Sequence, residues 1–230
     1  MPNELKHHVF EANRAMSAGG LAFRAWGSVS GINRDAGLVA ITPAGGAGGV
    51  GGPDDLAVIE QSGSPAPGTT TQPSKDAPLH LAIFRKLSGA DAVAVSHGPY
   101  STAWAQARKS IPVFGTTHAE VMPRPVVCTD IPTAEQVAAG YEDAIAENIA
   151  ASVGATQPGQ SGGVLVAGLG LVTFGASPAE AIEHAERVEH VAHLAALTTD
   201  IEPYPKSIPQ ELLNFRGART QADADDEAAS

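Results

Sequence analysis

Residues 91–120 read DAVAVSHGPYSTAWAQARKSIPVFGTTHAE, and three elements of secondary structure are predicted within them. DAVAVSH, residues 91–97, is an apolar run with the length of a strand, and TAWAQARKS, residues 102–110, has a helical pattern. IPVFG follows as another short extended segment. The strand ends in His97 at a turn, and such turns expose side chains at a sheet edge, where functional sites are common.

The sequence on both sides of this stretch continues to alternate between strands and helices. Further strands are predicted at residues 21–30, 37–42 and 56–60, with a strand pair at residues 162–175. Further helices are predicted at residues 4–17, along APLHLAIFRKL after Ser74, at residues 134–151, and along the segment that follows Ser177. Ser177, Pro178 and Glu180 form the pattern of a capping box at the start of that last helix. The order predicts a helix-flanked mixed sheet.

The composition limits the class of protein. A chain of 230 residues with 43% hydrophobic and 17% charged residues is typical of one globular domain, which we place at residues 1–215. Residues 216–230 end in TQADADDEAAS, an acidic tail that we expect to be disordered. The net charge of −11 argues against nucleic acid as a partner. Without a membrane-length apolar run or a cysteine pair, we expect a cytoplasmic protein.

Residue type alone gives few candidates for chemistry. The sequence contains no phosphate-binding loop motif, no dinucleotide-binding fingerprint and no nucleophile elbow. Asp76 and Glu120 stand out with His97 because each lies where a loop meets a helix in a charge-poor stretch. Each of the three also suits a structural role, as a turn histidine or as a favourable charge in the first turn of a helix. The glycine-rich segment at residues 43–53 is either flexible or lets the backbone approach a ligand.

Four longer segments carry a family resemblance. They are AFRAWGSVSGINRDAGLVAITPAGG, GTTTQPSKDAPLHLAIFR, STAWAQARKSIPVFGTTHAE and GGVLVAGLGLVTFG. Together they resemble the class II aldolase and sugar-phosphate 4-epimerase family, over about residues 4–215. The resemblance implies an α/β fold of three layers, α/β/α, with a central mixed, mainly antiparallel sheet. It also implies a homotetramer with sites at subunit interfaces.

The resemblance further implies a divalent metal, usually zinc, held by three histidines. Two of them belong to an H-T-H-S motif, which here reads Val95-Ser96-His97-Gly98, and the third corresponds to Leu169 within GLGL. Only His97 remains as a residual ligand, whereas Val95 and Leu169 cannot bind a metal. Catalytic zinc sites use about three protein ligands. We therefore expect no cofactor, or at most weak binding of zinc or manganese.

The other site positions implied by the resemblance are partly changed. The family's G-N-V-S reads GSVS at residues 27–30, its K-P-S-G reads TPAG at residues 42–45, and its P-S-S-D reads PSKD at residues 73–76. The catalytic candidates are Lys75, Asp76 and Glu120, which replaces an Asp of the epimerase. The substrate-binding candidates are Ser28, Thr42, Gly45, Ser74, Ser96, Tyr100 and Thr116. A tyrosine-containing C-terminal segment that supplies the epimerase's other proton-transfer group has no counterpart.

Three functional hypotheses remain, in order of preference. The first is a non-catalytic or regulatory protein that has lost the family's zinc-dependent sugar-phosphate chemistry. The second is a metal-independent enzyme acting on a small carbonyl compound in the same pocket, with Lys75 as base or Schiff-base nucleophile. The third is a sugar-phosphate 4-epimerase or aldolase whose weak metal site is rebuilt from Asp76, His97 and Glu120. The expected ligand is thus a small carbonyl compound or a phosphorylated sugar.

Overall fold

A six-stranded sheet with helices on both faces makes up most of the computed structural model, which describes residues 2–153 and 162–216. The strands are β1 (Ser28–Asn33), β2 (Leu38–Ile41), β3 (Ala57–Glu60), β4 (Ala92–Ser96), β5 (Gly163–Val166) and β6 (Gly170–Gly175). The helices are α1 (Pro2–Ala18), α2 (Ala77–Lys86), α3 (Pro99–Gln106), α4 (Thr116–Val121), α5 (Ala134–Val153) and α6 (Pro178–Ile201). Two short 3-10 helices, Ala47–Gly49 and Pro53–Asp55, lie in and after the glycine-rich segment.

The strand order is β3-β2-β1-β4-β6-β5, and every neighbouring pair is antiparallel. One isolated parallel bridge links Cys128 to Leu165 at the β5 edge, outside the named strands. The predicted α/β fold with a mainly antiparallel central sheet is therefore confirmed. β4 lies in the middle, with Val95 opposite Ser28 on β1 and opposite Val172 on β6. The end of β4 is thus surrounded by structure on both sides.

Alternation along β4 divides the core into two apolar clusters. Ala92 and Ala94 face the cluster that includes α1 and α6, whereas Val93 and Val95 face the cluster that includes α2 and α5. Successive side chains of a strand point to opposite faces of a sheet, so a buried strand must be apolar on both. This explains why DAVAV reads as a continuous apolar run. The predicted three-layer α/β/α architecture is confirmed.

The structure corrects three of the predicted boundaries. Residues 21–27 are not part of a strand, because Phe23 and Trp26 pair with each other in a tight turn before β1 begins. α3 begins at Pro99 and ends before Arg108, whose positive φ of 57° breaks the helical backbone. IPVFG is not a strand, since only Ile111 forms an isolated bridge, to Val126.

The start of α6 largely follows the predicted capping box. The Ser177 hydroxyl accepts a hydrogen bond from the Glu180 backbone N–H, as the motif requires. The Glu180 carboxylate accepts from the N–H of Ala176 rather than that of Ser177. From residue 217 onward the predicted acidic tail lies outside the described residues. Within residues 2–153 and 162–216, no helix is both long and apolar enough to cross a membrane.

Candidate functional site

A cavity of about 570 Å³ lies at the end of β4, where the chain turns from the strand into α3. We call it the β4 cavity. Its lining residues are Gly20, Ala22, Phe23, Trp26, Lys75, His97, Pro99, Thr102, Gln106, Gly168 and Leu169. The volume is in the range usual for small-molecule sites. The lining is mainly small or apolar, with Lys75 as its charged ammonium group.

The aromatic side of the cavity is a tight turn between α1 and β1. The backbones of Phe23 and Trp26 exchange two hydrogen bonds of 3.0 and 2.9 Å, and Arg24 between them has a positive φ of 56°. Gly46 of the glycine-rich segment packs against this turn, since a Cβ added there would lie 2.6 Å from Ala25 Cα. The glycine-rich segment therefore contacts the chain's own backbone at Gly46, and this contact supports the turn that carries Phe23 and Trp26.

His97 lies at the centre of the cavity's polar part. Its backbone N–H donates to the Leu21 carbonyl at 2.8 Å, which ties the end of β4 to the segment before the aromatic turn. Its ring centroid is 6.1 Å from that of Trp26. Burial lowers the pKa of the His97 imidazole, the Asp76 carboxylate opposes this, and the Lys75 ammonium adds to it. The three predicted site residues are thus close enough to interact.

Asp76 belongs to a buried chain of hydrogen bonds that includes His80. The Ser28 hydroxyl donates to Asp76 Oδ2 at 2.9 Å and lies 2.8 Å from His80 Nε2, while Ser30 Oγ lies 2.7 Å from His80 Nδ1. Because Ser28 has a single hydroxyl proton, its oxygen must accept from Nε2–H. Nδ1 then accepts from Ser30. Burial lowers the pKa of His80 to about 4, although the Asp76 carboxylate opposes this, so the ring is neutral near pH 7.

The position of Asp76 explains why its carboxylate serves this network. Asp76 is the N-cap residue of α2, yet its side chain makes no capping hydrogen bond to the helix. Its carboxylate instead accepts from Ser28 and, at 3.4 Å, from the Ser74 hydroxyl. The preceding segment is fixed by the Ser74 backbone N–H, which donates to the Thr42 carbonyl at 2.8 Å. The sequence-based alternative of a first-turn helix charge therefore describes where Asp76 lies but not what its side chain contacts.

Lys75 is exposed, and its ammonium lies 5.7 Å from the centroid of the Trp26 ring. This distance permits a cation–π interaction. Within the described residues, Lys75 forms no ion pair with a carboxylate. Its charge is therefore available at the mouth of the cavity.

The two predicted non-ligands, Val95 and Leu169, belong to the apolar core. Val95 is 1% exposed and Leu169 packs against the same cluster, on the face of the sheet covered by α2 and α5. Neither side chain carries a lone pair that could bind a metal, so the residues do not fit the family's zinc. In the parts of the chain that the structure describes, no three His, Cys, Asp or Glu side chains are arranged to hold a metal ion.

Other predicted site residues lie elsewhere or are already engaged. Glu120 and Thr116 are on α4, which contributes nothing to the β4 cavity lining, and Glu120 pairs with Arg216 at 2.8 Å. Tyr100 stacks on His193 of α6, with ring centroids 3.8 Å apart. Thr42 is fully buried, and its hydroxyl accepts from Val29 N–H at 2.8 Å.

The remaining predicted residues differ in accessibility. Gly45 is exposed, and a Cβ added there would meet no atom within 4 Å. Ser96 is fully buried, and its hydroxyl finds no hydrogen-bond partner among the described residues. Ser28 and Ser74 both contact Asp76, so the structure brings these two together with the catalytic candidates Lys75 and Asp76.

Sequence reasoning missed four side chains at or beside this site. Phe23 and Trp26 were placed in a strand, and His80 and Thr102 were treated only as helix residues. The Thr102 hydroxyl is buried at the cavity without a hydrogen-bond partner among the described residues. The available signal was the clustering of Phe23, Arg24 and Trp26 beside glycines, since exposed aromatic residues in turns are common at binding sites.

Comparison with known proteins identifies the family. The family model for the class II aldolase and adducin N-terminal domain matches residues 7–196. The chain belongs to the class II aldolase family. An L-ribulose-5-phosphate 4-epimerase from Salmonella paratyphi B is 34% identical over 211 residues, which is 92% of each chain. The family resemblance inferred from the sequence is therefore confirmed.

Solved structures agree with this membership of the class II aldolase family. The chain resembles an L-fuculose 1-phosphate aldolase with a TM-score of 0.77 and 22% identity, covering 95% of this chain and 96% of the other. An L-fuculose-1-phosphate aldolase from Thermus thermophilus matches with a TM-score of 0.65 and 18% identity, over 89% and 100% of the two chains. At these identities the likeness establishes the fold.

Proposed function

We propose that this class II aldolase family member does not carry out zinc-dependent sugar-phosphate chemistry and that it binds a small carbonyl compound in the β4 cavity. One observation carries the proposal. Two of the three histidine positions implied by the family are Val95, which is buried in the apolar core, and Leu169, which packs against that core and lines the cavity. Aliphatic groups cannot replace imidazole as metal ligands, and His97 alone is too few. The electrostatic stabilisation that a metal gives to a developing oxyanion is then missing.

The retained cavity favours a ligand over a relic of an ancestral site. Lys75, His97 and Gln106 all line the same space. These groups provide a cation, an imidazole and an amide donor for a carbonyl-bearing compound.

Within this proposal, a binding or regulatory role is favoured over metal-independent turnover. A lysine becomes a good base or Schiff-base nucleophile when desolvation or a nearby cation favours its neutral form. Lys75 is instead exposed, at the edge of the cavity. Its geometry suits attraction of a ligand's negative charge. Ligand binding without turnover would support a binding or regulatory protein. Turnover of the ligand without metal would support a metal-independent enzyme.

A second candidate is a sugar-phosphate 4-epimerase or aldolase with a weak, remodelled metal site. The 34% identity to an L-ribulose-5-phosphate 4-epimerase favours it, as does the retention of Asp76 and His97 within interacting distance. Glu120 lies outside the β4 cavity of its own chain. This candidate therefore needs a neighbouring subunit to bring Glu120 to the site.

We also infer a homotetramer in the cytoplasm, with sites near subunit interfaces. Support for assembly comes from family membership and from exposed apolar side chains on α6, namely Leu194, Leu197 and Ile201. These positions are spaced by three and four residues and so share one helix face. A mass in solution near four times the 23.4 kDa subunit is the expected result in sedimentation analysis.

The activity test compares metal-loaded and metal-free protein. L-ribulose 5-phosphate and L-fuculose 1-phosphate are each incubated with the purified chain in zinc, in manganese and in a chelator. The proposal predicts no turnover that depends on metal. Turnover that zinc restores and a chelator removes would contradict it and support the second candidate.

A further inference from the structure

We propose that the β4 cavity selects an aromatic 2-oxo acid, a planar ring joined to a ketone and a carboxylate. This inference rests on the proposed function, since it names the class of carbonyl compound. It comes from three independent features of the cavity, as the described residues show them: an exposed aromatic wall, an ammonium group without an ion pair, and the side-chain amide of Gln106.

The aromatic wall consists of Phe23 and Trp26. Their ring centroids lie 5.9 Å apart with the planes tilted by 54°. The Arg24 guanidinium lies over the Phe23 ring, 5.5 Å from its centroid. Phe23 is 56% exposed and Trp26 is 51% exposed, although both line a cavity. Aromatic rings gain from stacked or tilted contacts with another ring beyond the area that they bury. A flat ligand ring would stack on one of these rings and meet the other at an angle.

The ammonium of Lys75 supplies the partner for a carboxylate. It is held near the Trp26 ring, at 5.7 Å from the centroid. The nearby Asp76 carboxylate accepts from the Ser28 and Ser74 hydroxyls and forms no ion pair with Lys75 within the described residues. His97 adds an imidazole ring to the same lining. The cavity lining therefore combines an aromatic surface with one cation.

The Gln106 side-chain amide supplies N–H donors for the ketone oxygen. Gln106 is exposed at the end of α3, and the cavity loop opposite is fixed to the same helix by a 3.0 Å hydrogen bond from Gly168 N–H to the Ala105 carbonyl. The helix and the loop therefore form a fixed frame around this donor.

The same lining is poorly suited to a sugar phosphate. Besides Lys75, the polar side-chain atoms of the lining belong to His97, Thr102, Gln106 and the Trp26 indole, and much of the remaining surface is apolar. A phosphorylated sugar would bury many hydroxyl groups, and each buried polar group needs a hydrogen-bond partner. The side chains of Phe23 and Leu169 cannot provide one for a sugar hydroxyl inside the cavity.

Calorimetric titration of the full chain with three probes tests the inference. The probes are benzoylformate, which is an aromatic 2-oxo acid, pyruvate, which shares the oxo acid but lacks the ring, and L-ribulose 5-phosphate. We expect benzoylformate to bind about tenfold more tightly than pyruvate, because stacking and ring burial are added. Trp26→Ala should remove most of this difference.

Three further variants identify the polar anchors. Lys75→Met and Gln106→Ala should each weaken benzoylformate binding about fivefold or more, as expected for loss of a charged or polar hydrogen-bond partner. Lys109→Met is the matched control, since Lys109 is exposed and lies outside the cavity lining. It should leave the affinity unchanged.

The outcomes separate this inference from the proposed function. Equal affinity for benzoylformate and pyruvate, or benzoylformate binding that ignores Trp26 and Lys75, overturns the aromatic assignment while leaving a metal-free carbonyl site in place. If neither benzoylformate nor pyruvate binds, the assignment of an aromatic 2-oxo acid is also overturned. Tight L-ribulose 5-phosphate binding that appears only with added zinc would overturn the proposed function itself.

Discussion

Gly46 determines how closely the glycine-rich segment approaches the aromatic turn. Its φ is +81°, and an added Cβ would lie 2.6 Å from Ala25 Cα and 2.7 Å from the Arg24 carbonyl oxygen. Gly46→Ala should therefore lower the free energy of unfolding by about 1–3 kcal/mol, through left-handed strain and a backbone clash. Urea unfolding followed by circular dichroism measures this.

Gly45→Ala is the matched control for that prediction. A Cβ at Gly45 meets nothing within 4 Å, so the substitution should be neutral, or stabilising by up to about 1 kcal/mol through the unfolded state. Equal destabilisation by both changes would mean that the whole segment, rather than the contact of Gly46, is sensitive.

The buried His80 should make stability depend on pH. Its pKa is lowered from the ordinary value to about 4 in the folded state, so between pH 4 and 6.5 the unfolded chain binds more protons. The contribution of a neutral His80 is present above the unfolded pKa and is lost as pH falls through this window. Between pH 7 and 5, His80→Gln should reduce the loss of stability by about 2 kcal/mol relative to the unmodified protein.

Urea unfolding at the two pH values checks this prediction. His8→Gln is the control, because it changes an exposed histidine on α1. It should leave the pH dependence of the free energy of unfolding unchanged. His97 and His118, whose pKa values are also lowered by burial, contribute in the same direction and remain in both variants. An unchanged pH dependence in His80→Gln would show that His80 is not the neutral, buried group described here.

At the scale of elements, α6 holds the start of α3 in place. The Glu189 carboxylate of α6 accepts hydrogen bonds from the backbone N–H groups of Tyr100 and Ser101, at 2.8 and 2.9 Å. These N–H groups have no partner within α3, and a carboxylate also favours the positive end of the helix dipole. Glu189→Ala should lower the free energy of unfolding by about 2 kcal/mol. It should also speed amide exchange at residues 100–102.

Glu183→Ala is a suitable comparison on the same helix. Glu183 forms an exposed ion pair with Arg187, and such pairs contribute at most about 1 kcal/mol. Similar losses of stability from the two variants, with no change in exchange at α3, would argue against the capping role of Glu189.

The sequence predicted elements well where burial or a capping side chain decides them. β4 is apolar on both faces because both faces are covered, and Ser177 begins α6 because its hydroxyl caps the helix. The strand predicted at residues 21–30 was wrong because a tight turn intervenes. That turn needs a left-handed backbone at Arg24, and a non-glycine residue gives little signal of this conformation.

At the scale of the whole molecule, the site is assembled from segments far apart in the chain. Family motifs located Asp76, His97 and Leu169, and the structure brings the first two within interacting distance. Spacing could not reveal that His80 reaches Ser28 or that Thr102 is left without a partner among the described residues, because both facts depend on how helices pack on the sheet. Glu120 remains a proposed site residue that lies outside the cavity of its own subunit.

Metal content shows whether the chain holds zinc as the three-histidine site implied by the family would. The full chain is incubated with zinc, freed of unbound metal by gel filtration, and analysed by elemental mass spectrometry. A variant carrying Val95→His and Leu169→His restores two imidazoles beside His97 and serves as the comparison. We expect zinc far below one ion per subunit in the unmodified chain, and more zinc in the variant. About one zinc per subunit in the unmodified chain, lost on His97→Ala, would contradict this expectation.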